Sequence, residues 1–227
     1  MWNNAAVCIL GGWVSYPIPR ILSCAPTLDA QRLTPNAKSM PNANIIVLTA
    51  PSGAGKTTIA HRVMDAMPEM QFSVSATTRP PRDDETDGED YHFLSVDEFE
   101  QRIDNGDLLE YEEVYPDRLY GTLRSEVETK SDAGPVLLDI DVEGALNVKK
   151  IYGDDALVLF IAPPSKEALR RRLQKRGTED PEALADRLGR ADRELDRADD
   201  FDAVVVNDDL DPAVEETLTR IRQFLQS

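Results

Sequence analysis

Most of this sequence lacks cysteine, and the whole chain has few aromatic residues. The 227 residues include two cysteines, Cys8 and Cys24, and aromatic residues make up only 6% of the chain. Because both cysteines fall within the first 40 positions, a disulfide framework is excluded from the remainder. This absence fits a reducing compartment, and we predict a cytoplasmic location. The length suits one domain with a full core and room for a small inserted lobe.

A surplus of basic residues is also missing. Asp and Glu number 42 against 25 Lys and Arg, which gives a net charge of −17. Such a surface repels polyanions, so a general nucleic-acid-binding surface is excluded and any basic site must be local. The acidic residues concentrate in exposed-looking stretches at 83–85, 104–113, 179–182 and 192–202. Two explanations stay open: an ordinary solvated surface, or adaptation to a salty cytoplasm that screens the self-repulsion.

Residues 1–41 lack the periodic apolar pattern of a folded segment. They contain three prolines by position 26 and a mildly apolar segment at 5–14, which lacks the basic start of a secretory signal. We predict a disordered N-terminal extension, with translation beginning at Met40, and no membrane partner. Residues 42–227 then form the folded domain.

Residues 50–57 form a glycine-rich segment that is typical of a phosphate-binding loop. A short apolar run at 45–48 precedes it and apolar residues at helical spacing follow, so it joins a buried strand to a helix. Glycines here allow several backbone N–H groups to point inward at the positive end of that helix. The predicted nucleotide-binding residues are Ala50, Pro51, Ser52, Gly53, Ala54, Gly55, Lys56 and Thr57, with Ala50 replacing the usual first glycine.

Strand-like apolar runs recur after this loop at 72–76, 136–140, 157–161 and 203–206, with helical patterns between most of them. This alternation predicts an α/β fold with a mainly parallel sheet and helices on both faces. Apolar residues at intervals of three and four predict a long helix over 181–199. Three helix starts carry capping signals: Ser95 with Glu98, Asp180 before Pro181, and Asp211 before Pro212.

The stretch Ser-Val-Ser-Ala-Thr-Thr-Arg-Pro-Pro-Arg at 73–82, together with the phosphate-binding loop, resembles guanylate kinase. Further motifs follow in the family's order: Asp-Ile-Asp at 139–141, Ile-Ala-Pro-Pro-Ser at 161–165, Arg-Gly-Thr at 176–178 and Val-Asn-Asp-Asp at 206–209. The resemblance implies a P-loop NTPase-like parallel β-sheet flanked by helices, an inserted GMP-binding lobe at about 75–125 and a helical lid at about 170–195. It also implies Mg²⁺-dependent phosphoryl transfer from ATP to GMP, giving ADP and GDP, in purine nucleotide metabolism and GMP recycling.

The acceptor phosphate of GMP explains why arginines are needed. A phosphate monoester has a second pKa of about 6 and is already a nucleophilic anion at neutral pH, so the task is positioning and charge neutralisation. The resemblance assigns the monophosphate clamp to Arg79, Arg82, Tyr91 and Tyr120, in which the two arginines form a fork. Glu85 matches a family position near the bound nucleotide.

Guanine presents two adjacent donors, N1–H and the N2 amino group, which one carboxylate accepts side by side. The resemblance places this role on Glu110 with support from Asp141, and it assigns Ser75 and Thr122 to the other edge of the base. Two further acids, Glu112 and Glu113, leave a slip of register open.

The catalytic residues that the resemblance implies lie at the phosphate loop and in the lid. Lys56 reaches the β- and γ-phosphates, and Thr57 with Asp139 ligates Mg²⁺. A helix cap is the open alternative for a strand-end acid such as Asp139. The remaining members are the lid arginines that swing onto the ATP phosphates after both substrates bind, namely Arg172, Arg176 and Arg187.

Two other functions stay open beside this enzyme. Guanylate-kinase-like domains of scaffold proteins bind phosphorylated peptides, and related small kinases act on other phosphorylated metabolites. The intact pair Lys56 and Thr57 favours catalysis, and the guanine-reading acids favour GMP. We therefore predict GMP and ATP as the small-molecule partners, and we make no prediction of the oligomeric state.

Overall fold

The computed structural model of the protein describes residues 44–115, 118–175 and 181–227. The extension predicted at 1–41 lies outside the described residues. The strands are β1 (Ile45–Thr49), β2 (Gln71–Phe72), β3 (Ser75–Thr77), β4 (His92–Phe93), β5 (Leu108–Tyr115), β6 (Arg118–Leu123), β7 (Val136–Asp139), β8 (Ala156–Ala162) and β9 (Ala203–Val206). The helices are α1 (Lys56–Ala66), α2 (Val96–Asn105), α3 (Arg124–Ser131), α4 (Val142–Tyr152), α5 (Lys166–Lys175), α6 (Pro181–Leu195) and α7 (Leu210–Leu225).

Within the described ranges, five strands form a parallel sheet in the order β2-β7-β1-β8-β9. Every residue of β1 is buried, as expected of a central strand that is covered by helices on both faces. Ile46 and Leu48 pack toward α1 and α7, whereas Ile45 and Val47 pack toward α4. This alternation follows the period of two of a strand, and each buried aliphatic side chain contributes about 1.5–3 kcal/mol. The predicted α/β fold with a mainly parallel sheet is confirmed.

A second sheet, of four strands among the described residues, lies between β2 and α3 in sequence and has the order β4-β3-β6-β5. Its antiparallel pairs are β3 with β6 and β5 with β6, while β3 and β4 are parallel. It has a separate small core around Phe99 of α2. The start of α2 carries the predicted capping box, in which Ser95 Oγ accepts from the Glu98 N–H and Glu98 accepts from the Ser95 N–H.

The single strand predicted at 72–76 is wrong, because this segment passes from one sheet to the other. β2 belongs to the parallel sheet and β3 to the second sheet. At the crossing, the Val74 N–H donates to Glu126 Oε1 at 3.2 Å, and Lys130 donates to the Phe72 carbonyl oxygen at 2.5 Å. Two side chains of α3 therefore take the place of strand partners, which a continuous apolar run does not reveal.

Two predicted helix boundaries also differ from the structure. The helix predicted over 181–199 ends at Leu195 and is followed by a 3-10 turn at Ala198–Asp200. Leu195 and Ala198 both pack on the same cluster, and their spacing of three residues suits either conformation. α7 begins one residue before Asp211, which instead pairs with Arg62 at 3.0 Å. No helix in the described part of the chain is long and apolar enough to cross a membrane.

Candidate active site

The phosphate-binding loop joins β1 to α1 at the carboxyl edge of the parallel sheet. Gly53 and Gly55 have φ angles of 88° and 97°, a left-handed conformation that glycine adopts without steric cost. The outer side of the loop is filled as well. A Cβ on Gly53 would lie 2.8 Å from Leu173 Cδ2 of α5, and one on Gly55 would collide with the Asn207 side-chain amide. Both conformation and space therefore require glycine at these two positions.

The back of this loop is braced by Arg172 of α5 and by Asn207, which follows β9. Asn207 Nδ2 donates to the Ala54 carbonyl oxygen at 2.7 Å, and Arg172 Nη1 donates to the same oxygen at 3.3 Å. Arg172 Nη2 also donates to the Asn207 carbonyl oxygen at 2.8 Å. The Ala54 N–H closes the turn on the Pro51 carbonyl oxygen at 3.1 Å, and Ala50 is buried at its start. Sequence reasoning gave Asn207 no role, although it lies in the Val-Asn-Asp-Asp motif.

Lys56 is the first residue of α1, and its ammonium group reaches the end of β7. It pairs with the Asp139 carboxylate and donates to the Ile140 carbonyl oxygen at 2.5 Å. Asp139 lies opposite Leu48 in the register of β1 and β7, at the same sheet edge as the loop. The exposed Thr57 follows at the helix N-terminus. A carboxylate and a hydroxyl at this edge are oxygen ligands of the kind that Mg²⁺ combines with phosphate oxygens.

The predicted monophosphate clamp forms a cluster around Arg79. Both terminal nitrogens of Arg79 donate to the Glu85 carboxylate, each at 2.8 Å, and the guanidinium carbon lies 5.3 Å from the Tyr91 ring centroid. The rings of Tyr91 and Tyr120 meet edge to face with centroids 6.0 Å apart. Arg82 contributes its backbone N–H to Glu85 at 2.8 Å, while 72% of its side chain is exposed. The structure thus brings all five predicted residues together.

Two pKa shifts within this cluster have different causes. Hydrogen bonds from Arg79 first, and from the backbone of Arg82 second, lower the pKa of Glu85 to about 2. Burial raises the pKa of Tyr91 above its usual value. At neutral pH Glu85 is therefore ionised and compensates the charge of Arg79, while Tyr91 keeps its proton and is available as a donor.

The predicted guanine-reading residues lie side by side on three neighbouring strands. Ser75 of β3 and Glu110 of β5 are both in register with Thr122 of β6, whose Oγ1 donates to Glu110 Oε1 at 2.6 Å. Glu110 is only 6% exposed, and its burial, followed by the charge of Asp141, raises its pKa to about 8. Asp141 Oδ1 accepts from the Gly144 N–H at 2.8 Å. Of the two strand-end acids, Asp141 is thus the helix cap and Asp139 is not.

Three further charged residues lie beside the predicted guanine-reading group: Glu112, the alternative in a slip of register, and Arg190 and Glu194, which have no predicted role. Arg190 of α6 pairs with Glu112 of β5 at 3.0 Å and with Glu194 of its own helix at 2.7 Å. The acidic stretches 104–113 and 192–202 had been expected to be exposed, yet Glu110 and Glu194 within them are buried. The spacing of two between Glu110 and Glu112 is a usable sequence signal, because it places both on one face of a strand. No comparable signal identifies Arg190.

The predicted lid arginines are described only in part. Arg187 is half-buried on α6, three residues before Arg190, whereas Arg176 lies outside the described residues. Arg172 lies on α5 and contacts the phosphate loop, so the two described lid arginines lie on two successive helices.

Comparisons with known proteins identify one family. The sequence profile of the guanylate kinase family matches residues 42–226. The guanylate kinase of Salinibacter ruber is 77% identical over 188 residues, covering 83% of this chain and 100% of that protein. The guanylate kinase of Bacteroides fragilis is 50% identical over 184 residues, covering 81% of this chain and 90% of that protein.

A solved structure gives the same result for the fold. The crystal structure of guanylate kinase from Anaplasma phagocytophilum matches with a TM-score of 0.66 at 31% identity, covering 82% of this chain and 87% of that one. The matched residues 42–226 include the predicted phosphate loop and Glu110, the predicted guanine-reading carboxylate. This chain therefore belongs to the guanylate kinase family.

Proposed function

We propose that the phosphate loop and the clusters around Arg79 and Glu110 together form the active site of an ATP:GMP phosphotransferase. As a member of the guanylate kinase family, the chain is an enzyme that phosphorylates GMP with ATP to give GDP and ADP. The chemistry of three groups carries the assignment of roles: a loop lysine paired with an acid, an arginine clamp held by Glu85, and a buried carboxylate that accepts from Thr122. We call the phosphate loop with Lys56 the ATP end of the site and the other two clusters its GMP end. Each cluster has the chemistry of one part of the two substrates.

The phosphate of GMP binds the clamp at Arg79 in this proposal. Arg79 is held by Glu85 and stacks on an aromatic ring, so its guanidinium is oriented before the substrate arrives. Arg82 is largely exposed and is available to close on the phosphate. The hydroxyl groups of Tyr91 and Tyr120 supply further donors. A strong general base is unnecessary, because the acceptor is an anion with a second pKa of about 6.

The guanine base binds Glu110, with Asp141, Ser75 and Thr122 as further partners. An ionised Glu110 accepts from both N1–H and the N2 amino group, whereas adenine offers no such pair of donors. The hydrogen bond from Thr122 to Glu110 Oε1 fixes the orientation of the Glu110 carboxylate, which supports this role. Because the site is built on buried polar groups, it rejects a base that cannot pair with them much more strongly than an apolar pocket would.

ATP binds residues 50–57, with Lys56 moving from Asp139 to the β- and γ-phosphates. The inward N–H groups of the loop and the N-terminus of α1 hold the phosphate oxygens. When bound, Mg²⁺ neutralises the charge of the transferred group, and Thr57 and Asp139 would hold it beside the phosphates. Lys56 and the lid residues Arg172, Arg176 and Arg187 stabilise the negative charge that spreads over that group.

We also propose the division of the domain at 42–227 and a location for the reaction. In this division the GMP-binding lobe at about 75–125 comprises the second sheet and α2, and the lid at about 170–195 comprises most of α5 and all of α6. The use of ATP supports a cytoplasmic reaction, as does the restriction of cysteine to the first 40 positions.

A panel of acceptors tests this function. The full chain is assayed for ADP release from ATP and Mg²⁺ with GMP, AMP, UMP and ribose 5-phosphate, each with and without EDTA. We expect turnover with GMP that EDTA abolishes, and kcat/KM for the other acceptors lower by at least about 10²-fold. A preference for any acceptor other than GMP would overturn the substrate assignment. EDTA-resistant turnover would overturn the magnesium assignment alone.

A further inference from the structure

Arg190 connects helix α6 to the strand that carries the guanine-reading Glu110. Its Nη2 donates to Glu112 Oε1 at 3.0 Å and its Nη1 donates to the Val114 carbonyl oxygen at 3.0 Å, and both acceptors lie on β5. Its Nε donates to Glu194 Oε1, on its own helix, at 2.7 Å. Only 22% of the Arg190 side chain is exposed, so these contacts form in a largely desolvated place. Charge-assisted hydrogen bonds of this kind fix geometry as well as adding energy.

Apolar residues of α6 pack against α5, the helix that lies beside the phosphate loop. Leu188 and Ala191 pack with Leu169 and Leu173 of α5. Leu173 in turn lies against the outside of the phosphate loop, where it leaves no room for a Cβ at Gly53. Helix α6 therefore contacts β5 through Arg190 on one side and, through α5, the phosphate loop on the other.

Arg190 is also the cation that pairs with a group of buried acids. The charged groups that face one another here are Glu110 and Glu112 on β5, Asp141 and Glu143 at the start of α4, Arg190 and Glu194 on α6, and Lys56 on α1. Burial, followed by a hydrogen bond with Asp141, raises the pKa of Glu112 to about 9, and burial raises the pKa of Glu194. Arg190 opposes both shifts, so removing its guanidinium would favour the neutral forms of both carboxyls and would take from Glu112 the donor that ties it to α6.

We propose that Arg190 is a positioning residue that holds β5, through Glu112, in the place where Glu110 reads guanine. Glu112 lies two residues from Glu110 on the same face of the strand, so a displacement of Glu112 moves the guanine acceptor. Arg190 does not touch the reacting atoms and acts on GMP through β5. The inference rests on the proposed role of Glu110 and adds a residue outside the implied site.

Steady-state kinetics of the full chain test this role. We expect Arg190→Met to raise KM for GMP by about tenfold, while KM for ATP and kcat change by less than about threefold. Glu112→Gln should raise KM for GMP by about threefold, because it weakens the acceptor of Arg190 while Arg190 keeps its contact with the Val114 carbonyl oxygen. The double variant Glu112→Gln/Arg190→Met should have about the same KM for GMP as Arg190→Met alone, because both changes remove the same contact. Arg190→Lys should raise KM for GMP less than Arg190→Met does, since lysine keeps the positive charge but cannot make all the contacts of the guanidinium.

Two controls separate positioning from a general loss of structure. Arg193→Met changes an exposed arginine on the same helix and should leave both KM values unchanged. Thermal melting of every variant shows whether it is folded. If Arg190→Met does not fold, Glu112→Gln alone decides the matter through its KM for GMP.

Three results would overturn the inference. The first is an unchanged KM for GMP in Arg190→Met or, where that variant does not fold, in Glu112→Gln. The second is a parallel rise of KM for both substrates that follows the loss of melting temperature. The third is a double variant in which the two increases of KM for GMP multiply, because independent effects would mean that Arg190 does not act through Glu112. None of these touches the proposed function, which fails only if the unaltered chain does not phosphorylate GMP.

Discussion

The two ends of the proposed site are built in different ways. At the ATP end, eight consecutive residues make up the predicted phosphate loop, and the positive φ angles of Gly53 and Gly55 set its backbone path. At the GMP end, the predicted residues come from several elements and already have partners: Thr122 of β6 donates to Glu110 of β5, and Arg79 pairs with Glu85. One end is a local structure and the other is a product of tertiary packing.

This difference determines how each end holds charge before substrates bind. Lys56 is balanced by Asp139, a partner that it can exchange for phosphate oxygens. Arg79 is held by Glu85 on two hydrogen bonds and lies on an aromatic ring, so it is less free to change partner. The ATP end is therefore expected to respond to changes in backbone and charge, and the GMP end to changes in pairing.

The largest expected effect is at Lys56, where removal of the cation should break the ATP end alone. Lys56→Ala leaves Asp139 without its partner. It also removes the positive charge that would stabilise the transferred phosphoryl group. We expect kcat to fall by at least about 10³-fold, while GMP still binds with near-normal affinity in calorimetry. Lys150→Ala, which removes an exposed lysine of α4, serves as the control and should keep full turnover. Turnover within tenfold of normal in Lys56→Ala would contradict the mechanism.

A smaller effect is expected from Glu110→Gln, which changes pairing at the GMP end without changing size. The amide can still accept from Thr122 but cannot accept from both guanine donors as a carboxylate does. We expect kcat/KM for GMP to fall by about 10²-fold while the low value for AMP stays unchanged. Glu100→Gln, an exposed acid of α2, is the matched control. If the ratio of kcat/KM for GMP to kcat/KM for AMP is unchanged in Glu110→Gln, another residue reads guanine.

The pH dependence sharpens the same comparison, because Glu110 has a pKa of about 8 in the free protein. Guanine needs the ionised carboxylate, so below that pH the protein must lose a proton to bind GMP. We expect kcat/KM for GMP to rise with pH up to about 8, since this parameter reports groups of the free enzyme. In Glu110→Gln the rise of kcat/KM toward pH 8 should disappear. The pH profile should then show only the change near pH 6 that comes from the second pKa of the GMP phosphate.

The sequence predicts the ATP end better than the GMP end for the same physical reason. The loop, its strand and its helix are contiguous, so local pattern and backbone rules suffice for Lys56 and its neighbours. The GMP-end residues were assigned by resemblance. The spacing of Glu110 and Glu112 places both on one face of a strand, but it does not tell whether that face is buried or solvated. The contact of Arg190 with Glu112 joins positions 78 residues apart. The sheet change after Phe72 was missed because Glu126 replaces a strand partner there.

A Cβ added to the phosphate loop should weaken the binding of ATP moderately and leave the binding of GMP nearly unchanged. In Gly53→Ala the positive φ is strained and the methyl group meets Leu173. We expect KM for ATP to rise by about tenfold with KM for GMP nearly unchanged, a cost within the 1–3 kcal/mol of such strain. Gly88→Ala carries the same backbone strain, with φ 80° and no atom within 4 Å of the added Cβ, and it lies at the GMP end. A rise of KM for ATP in both variants would mean that strain, rather than the fit against α5, is responsible.

Salt should have the smallest effect, and it should act on the charged surface of the protein rather than on the ATP and GMP ends of the site. The net charge of −17 places mutual repulsion on the surface, whereas the pairs of Arg79 and Arg190 are largely buried and are screened less. Between low salt and 1 M KCl we expect the melting temperature to rise by about 2–4 °C, which corresponds to about 1 kcal/mol for a chain of this size. Over the same range the ratio of KM for GMP to KM for ATP should change by less than about twofold. A melting temperature that falls at molar KCl would rule out adaptation to a salty cytoplasm. A ratio that shifts strongly with salt would mean that the charges of the GMP end are less shielded from solvent than their burial indicates.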